Sequence, residues 1–196
     1  MDTYVIATNN AHKLQEIRDI LETDRRRFIS MKEAGIATDP EETGTTFEEN
    51  ALIKARAACA ASGLPALADD SGLEVDALNG EPGIRSARYC QGSDQDRVDF
   101  LLSKLENVPA EQRGAQFVSA IACVWPDGTE FAIRGICRGE ILTENHGTGG
   151  FGYDPVFWVP EEKESFSSMP QERKNQISHR ANALARTKEE LEKRGL

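Results

Sequence analysis

Apolar and polar residues alternate along the chain in blocks that read as strands and helices. Tyr4-Val5-Ile6-Ala7-Thr8 is a short apolar run followed by a polar turn, after which Leu14, Ile17 and Leu21 recur at helical spacing, so strand, loop and helix are predicted in that order. A second short strand is expected around Phe28 to Met31. The acidic, turn-rich stretch Thr38-Asp39-Pro40-Glu41-Glu42-Thr43-Gly44 reads as a loop. Thr46 with Glu49 three residues on has capping-box spacing, and the alanine-rich run after it ends at Gly63 and Pro65, which predicts a helix between those marks. Ala66-Leu67-Ala68 then reads as a buried strand leading into Asp69-Asp70-Ser71-Gly72, which puts the acidic pair at a strand end. Leu73 to Leu78 is extended and Asn79-Gly80 turns the chain.

From Ser93, the spacing of Val98, Leu101, Leu102 and Leu105 predicts a capped helix, and Ala115 to Trp125 is a long β-rich run. Pro126-Asp127-Gly128 turns it into a partner strand, Thr129 to Cys137. With Asp127-Gly128 as a two-residue loop, Cys123 and Cys137 fall out of register for a disulfide. Val156-Phe157-Trp158-Val159 is a strand stopped by Pro160, and a last helix is expected from about Ser178 to the terminus. The expected fold is α/β, a single domain over residues 1–196: a mixed sheet with a long central hairpin, and two lobes flanking a substrate cleft.

Composition narrows the class. A chain of 196 residues with 39% hydrophobic content should bury roughly 70% of its unfolded surface, so it can hold a core without disulfides or a structural metal. No run approaches a membrane span, and the start at Met1-Asp2-Thr3 lacks a secretion signal, which gives a cytosolic expectation. Cys59, Cys90, Cys123 and Cys137 include no C-x-x-C pair and read as reduced thiols. A net charge of −10 would repel a polynucleotide, so a phosphate-bearing partner should be small and held by a few local cations and a metal.

Four polar clusters fall where loops leave strands or open helices. Thr8-Asn9-Asn10-Ala11-His12-Lys13 offers backbone N–H groups at a helix start and an ammonium, which suits phosphate oxygens, although Thr and Asn there are also ordinary caps. Glu41-Glu42 and Asp69-Asp70-Ser71-Gly72 bring acids that repel unless a cation lies among them. Magnesium fits, since it takes hard oxygen ligands and shares its shell with water and phosphate; a solvated acidic loop is the plainer alternative. Gly147 to Pro155 lets backbone approach a ligand while Phe151 or Tyr153 offers a ring face, or those rings simply rejoin the core; it lacks P-loop spacing. Lys174 with Ser178-His179-Arg180 supplies two cations and an imidazole near the last helix, or a merely solvated helix start.

Taken together, Thr8 to Lys13, Glu41 to Ala51, Ala68 to Leu73, Pro82 to Tyr89, Gly149 to Pro155 and Ser178 to Arg180 closely resemble the dITP/XTP and inosine triphosphate pyrophosphatases, which act on noncanonical purine nucleotides. The resemblance runs in order over nearly the whole chain; at Asn9 the family often has Gly. It implies an inosine triphosphatase-like fold and a homodimeric cytosolic enzyme that hydrolyses ITP, dITP and XTP to the monophosphate and pyrophosphate with Mg2+, with no polymer or membrane partner. Carried over by position, the phosphate loop is Thr8, Asn9, Asn10, Ala11, His12 and Lys13. The metal carboxylates are Glu41 and Asp70, and Asp70 is also the proton acceptor. Ser71 touches the nucleotide, Phe151, Gly152, Tyr153 and Asp154 wall the base, Lys174 contacts substrate, and His179 and Arg180 meet the purine.

In that scheme magnesium, Lys13 and Lys174 supply positive charge, and Arg180, which can only donate, favours the 6-oxo group of hypoxanthine and xanthine over the amino group of adenine. Rival readings are a related nucleotide pyrophosphatase with other base specificity and a non-catalytic nucleotide sensor. An aspartyl-phosphate phosphatase is disfavoured because adjacent strand residues point to opposite sides.

Overall fold

The computed structural model describes residues 1–195. Its strands are β1 (Asp2–Ile6), β2 (Arg26–Ser30), β3 (Ala66–Val75), β4 (Gly114–Val124), β5 (Glu130–Ile141), β6 (Phe157–Val159) and β7 (Glu164–Ser165). They form a seven-stranded sheet in the order β2-β1-β3-β4-β5-β6-β7. β1 runs parallel to β2 and β3, whereas β6 is antiparallel to β5 and β7, so the sheet is mixed as expected. The helices are α1 (Ala11–Leu21), α2 (Phe47–Ser62), α3 (Asp94–Lys104), α4 (Gln171–Ile177) and α5 (His179–Lys193). Among the described residues no helix is long and apolar enough to cross a membrane.

The chain forms two compact units. The first comprises Met1–Asp70, Ser119–Gly135 and the segment from His179 onward; the second comprises Ser71–Val118 and Ile136–Ser178. In the first, Tyr4 and Ile6 of β1, Leu67 of β3 and Ile121 of β4 pack against Ile17 and Leu21 of α1 and Leu184 and Leu191 of α5. The helical spacing of Ile17 and Leu21 is therefore what docks α1 on the sheet. In the second, Leu73, Val98, Leu101 and a group of rings form the core, with Phe157 4.6 Å from Phe117 and 4.9 Å from Phe166 between centroids.

Caps set the helix ends. Thr46 accepts from the Glu49 N–H at 3.1 Å and Gly63 closes α2 in the left-handed region at φ +68°, while Ser93 and Asp96 form a full capping box on α3. Glu49 does not complete the box predicted for α2, because its carboxylate turns to the N–H and hydroxyl of Thr45.

Three local expectations are corrected. β3 is one continuous strand, so Asp69 and Asp70 lie within it rather than at its end. The turn-forming signal of Asp-Asp-Ser-Gly loses to pairing in the sheet, where neighbouring cations make the charges tolerable. The hairpin loop is Pro126-Asp127-Gly128, one residue longer than expected: Trp125 N donates to Thr129 O at 2.9 Å, Gly128 N to Trp125 O at 3.0 Å, and Gly128 takes φ +87°. Finally, the expected last helix begins at His179, but the extended backbone of Ser178 separates it from a short preceding helix, α4, whose polar sequence gave no periodic signal. All four cysteines are free.

Candidate active site

The centre of the first unit is the carboxyl pair of β3. Consecutive strand residues project to opposite faces, and the two acids meet different partners. Asp69, 2% exposed, receives Lys13 Nζ at 2.5 Å on Oδ2, and Ser119 Oγ at 2.5 Å and Arg180 Nε at 3.4 Å on Oδ1. Burial alone would raise its pKa, but the Arg180 guanidinium and Lys13 ammonium hold the carboxyl well below the usual range. Arg180, itself 1% exposed, also donates from Nη1 to Glu16 at 2.5 Å. α1 thus contributes Lys13 and, one turn on, Glu16 to the same charged chain.

Asp70 takes the other side. Its Oδ1 accepts from Lys54 Nζ of α2 at 2.8 Å, and the same ammonium reaches Glu42 at 2.9 Å. Its Oδ2 is buried with no hydrogen-bond partner. Burial pushes the Asp70 carboxyl up, against the Lys54 ammonium that pulls it down, with Glu42 and Asp69 adding to the rise. Glu42, rather than the exposed Glu41, is the acid that shares Lys54 with Asp70. The acidic loop is anchored at Gly44, whose N–H donates to Asn50 Oδ1 at 2.9 Å. A Cβ at Gly44 would meet Asn50 Oδ1 at 2.6 Å.

The loop before α1 is self-capped. Asn10 Oδ1 accepts from the N–H groups of His12 and Lys13 at 2.9 and 3.2 Å, and Thr8 Oγ1 accepts from Asn10 N at 3.1 Å. The amides of His12 and Lys13 are therefore already committed, contrary to the expectation that they stand free for phosphate. Ala11 and His12 are exposed. What the loop presents instead are side chains: Thr8, Asn9 and Lys13 line a cavity of about 130 Å³ together with Lys54 and Asp69.

The second unit holds a cluster of its own. Lys174, 3% exposed on α4, donates to Asp154 Oδ2 at 2.6 Å, and the same oxygen accepts from Phe151 N at 2.9 Å. The ammonium stands 4.9 Å from the Phe151 ring centroid. Gly152 N donates to Asp94 at 2.8 Å. Tyr153 is buried in the core and donates its hydroxyl to Ser86 O at 2.9 Å, so of the two rings it is Tyr153 that rejoins the core, while Phe151 is half-buried. Ser71, half-buried in β3, opens this unit.

The profile of the Ham1 family matches residues 4–190. The chain belongs to the Ham1 family. A dITP/XTP pyrophosphatase of Symbiobacterium thermophilum is 51% identical over 95% of this chain and 93% of that protein, and one of Geobacter sulfurreducens is 47% identical over the full length of both. Among solved structures, the Staphylococcus aureus Ham1 protein matches with a TM-score of 0.90 at 43% identity, covering 98% of this chain and all of its own. A Ham1 protein from Coxiella burnetii gives 0.91 at 40%, with the same coverage.

In this Ham1-family chain the structure gathers Lys13, Asp69 and Arg180 in one network, Asp70 in another with Lys54 and Glu42, and Phe151, Asp154 and Lys174 in a third. His179 is buried at the start of α5 beside Arg180 in sequence. Sequence reasoning missed Glu16, Lys54 and Ser119. Glu16 is one turn from Lys13 on the same helix, and Lys54 is one turn from Asn50 on α2; both spacings were available as signals. Ser119 interrupts an otherwise apolar buried strand, a position where a hydroxyl needs a partner.

Proposed function

We propose that this chain hydrolyses noncanonical purine nucleoside triphosphates, namely ITP, dITP and XTP, to the monophosphate and pyrophosphate, with magnesium as cofactor. The observation that carries the reading is the unequal treatment of the β3 acids: Asp69 is neutralised by cations, while Asp70 keeps a buried oxygen without a hydrogen bond. The activity named for the relatives supports the substrate class. A cytosolic location and a homodimer belong to the same reading.

The residues fit magnesium. Asp70 Oδ2 is an orphaned buried carboxylate oxygen and Glu42 shares its ammonium partner. Among the described residues no group of three or more His, Cys, Asp and Glu stands ready for a metal. Magnesium is commonly held by one or two carboxylates and completes its shell with water and phosphate. Asp70 would hold it with Glu41, as the resemblance implies; when bound, the ion would neutralise phosphate charge and make a water more acidic.

The chain's own groups do the rest. Lys13 and Lys54 hold phosphate oxygens beside Thr8 and Asn9. Asp70 orients the attacking water and accepts its proton as the water oxygen bonds the α phosphorus. The bond from that phosphorus to the α–β bridging oxygen breaks, and pyrophosphate leaves with that oxygen. By family resemblance, His179 and Arg180 meet the purine, Phe151 to Asp154 wall the base and Lys174 contacts substrate. A donor facing the 6-oxo group is left unpaired by adenine, which discriminates by orders of magnitude.

A panel of purified nucleoside triphosphates, with and without magnesium, tests the reading. ITP and XTP should give monophosphate and pyrophosphate only with the metal, with kcat/KM at least about a hundredfold above ATP. Equal turnover of ATP, or release of orthophosphate in place of pyrophosphate, would overturn it.

A further inference from the structure

We infer that Asn50, buried on α2, is a positioning residue for the acidic loop: it holds that loop along the helix so that its carboxylates stand beside Asp70, an inference that rests on the magnesium reading above.

The loop is stitched to α2 residue by residue. Thr45 donates its N–H and its hydroxyl to the Glu49 carboxylate at 2.6 and 2.9 Å. Gly44 donates its N–H to Asn50 Oδ1 at 2.9 Å. Glu42 reaches Lys54 Nζ at 2.9 Å, one helical turn beyond Asn50, and the same ammonium meets Asp70 at 2.8 Å. The loop therefore runs back along the helix and delivers Glu42 to Asp70. Glu41, the carboxylate that the resemblance assigns to the metal, is the next residue on this held segment.

The three stitches are not equivalent. The Thr45 contacts are exposed to water, where such bonds add little. The Lys54 ammonium is drawn toward phosphate when substrate arrives, so its hold on Glu42 is shared in the working state. Asn50 is neutral and 0% exposed, and its bond to Gly44 survives those changes of charge. The position also has a cost. Asparagine is a poor residue inside a helix, and Asn50 Nδ2 is buried with no hydrogen-bond partner, an unmet donor that an apolar side chain of the same size would not leave. Stability of the helix alone would favour leucine. What the carboxamide supplies is the acceptor for Gly44. The fit from the loop side is equally close, since a Cβ at Gly44 would meet Asn50 Oδ1 at 2.6 Å and Glu49 Cβ at 2.7 Å.

Two variants test this from opposite sides. Asn50→Leu removes the acceptor together with the unmet donor, and Gly44→Ala pushes the loop away from the helix. In the intact protein Mg2+ is titrated at constant ionic strength against ITP turnover and, separately, against the thermal midpoint with the uncleavable α,β-methylene analogue of ITP bound. Both variants should need at least about tenfold more Mg2+ to half-saturate either readout, while kcat at saturating Mg2+ stays within about threefold of the parent. A purely structural role would lower the midpoint at every Mg2+ concentration and leave the half-saturating concentration unchanged. That result overturns the inference, as does a kcat that saturating Mg2+ fails to restore, and Gly44→Ala decides alone should Asn50→Leu not fold. A parent protein whose turnover and midpoint ignore Mg2+ overturns the magnesium reading itself.

Discussion

Asp69 and Asp70 are chemically the same group one residue apart, and the pleat of β3 gives them opposite electrostatics. Asp69 is a buried counter-ion for Lys13 and Arg180. Asp69→Asn removes the carboxylate from Lys13 and leaves Arg180 with Glu16, and loss of one member of a buried pair costs about 3–5 kcal/mol, read as a lower urea midpoint. The pH dependence follows with a definite sign. The folded pKa of Asp69 lies well below its unfolded value near 4, so its stabilisation is fully present above about pH 4 and is lost as pH falls toward the folded value. Stability measured against pH should therefore drop on acidification below about pH 4, and Asp69→Asn should flatten that slope. Asp70 behaves oppositely: its carboxyl is raised by burial, so ionisation costs stability at neutral pH, and turnover should fall on the acid side as the proton returns.

At the scale of elements, the site depends on how α5 meets the sheet. A Cβ at Gly135 of β5 would run into the backbone N of Ala183 and the carbonyl oxygen of His179. Gly135→Ala should push the first turn of α5, with His179 and Arg180, off the strand. The expected result is a loss of about 1–3 kcal/mol of stability together with a raised KM for ITP, checked by thermal unfolding and steady-state kinetics. The elements built on periodicity were legible beforehand: α1 from Leu14, Ile17 and Leu21, α3 from Val98 and Leu101, and the β4–β5 hairpin from its long apolar run. β3 was not, because Asp-Asp-Ser-Gly reads as a break until the cations of α1, α2 and α5 are in place. α4 was not, because a helix of seven polar-rich residues that buries Lys174 against Asp154 has no apolar stripe. In the site, residue types and positions were readable, but the partner that each charge would choose was set by tertiary packing: Glu42 and Asp70 share Lys54, and Asn10 takes up amides that the helix start offered.

The whole molecule carries a net charge of −10, yet Lys13, Lys54 and Arg180 converge on one pair of acids. A repulsive overall field with a local cationic centre admits a small phosphate ester and disfavours a long polyanion. The central claim is that Asp70, with its buried unpaired oxygen, drives hydrolysis at this centre. It is tested most directly by measuring ITP turnover and ITP binding in Asp70→Asn. A loss of at least about a thousandfold in kcat, with ITP still bound and thermal stability no lower than that of the parent, is the predicted result, since the amide cannot take the proton and no longer holds a charge in a buried place. Turnover close to the parent value would contradict the account.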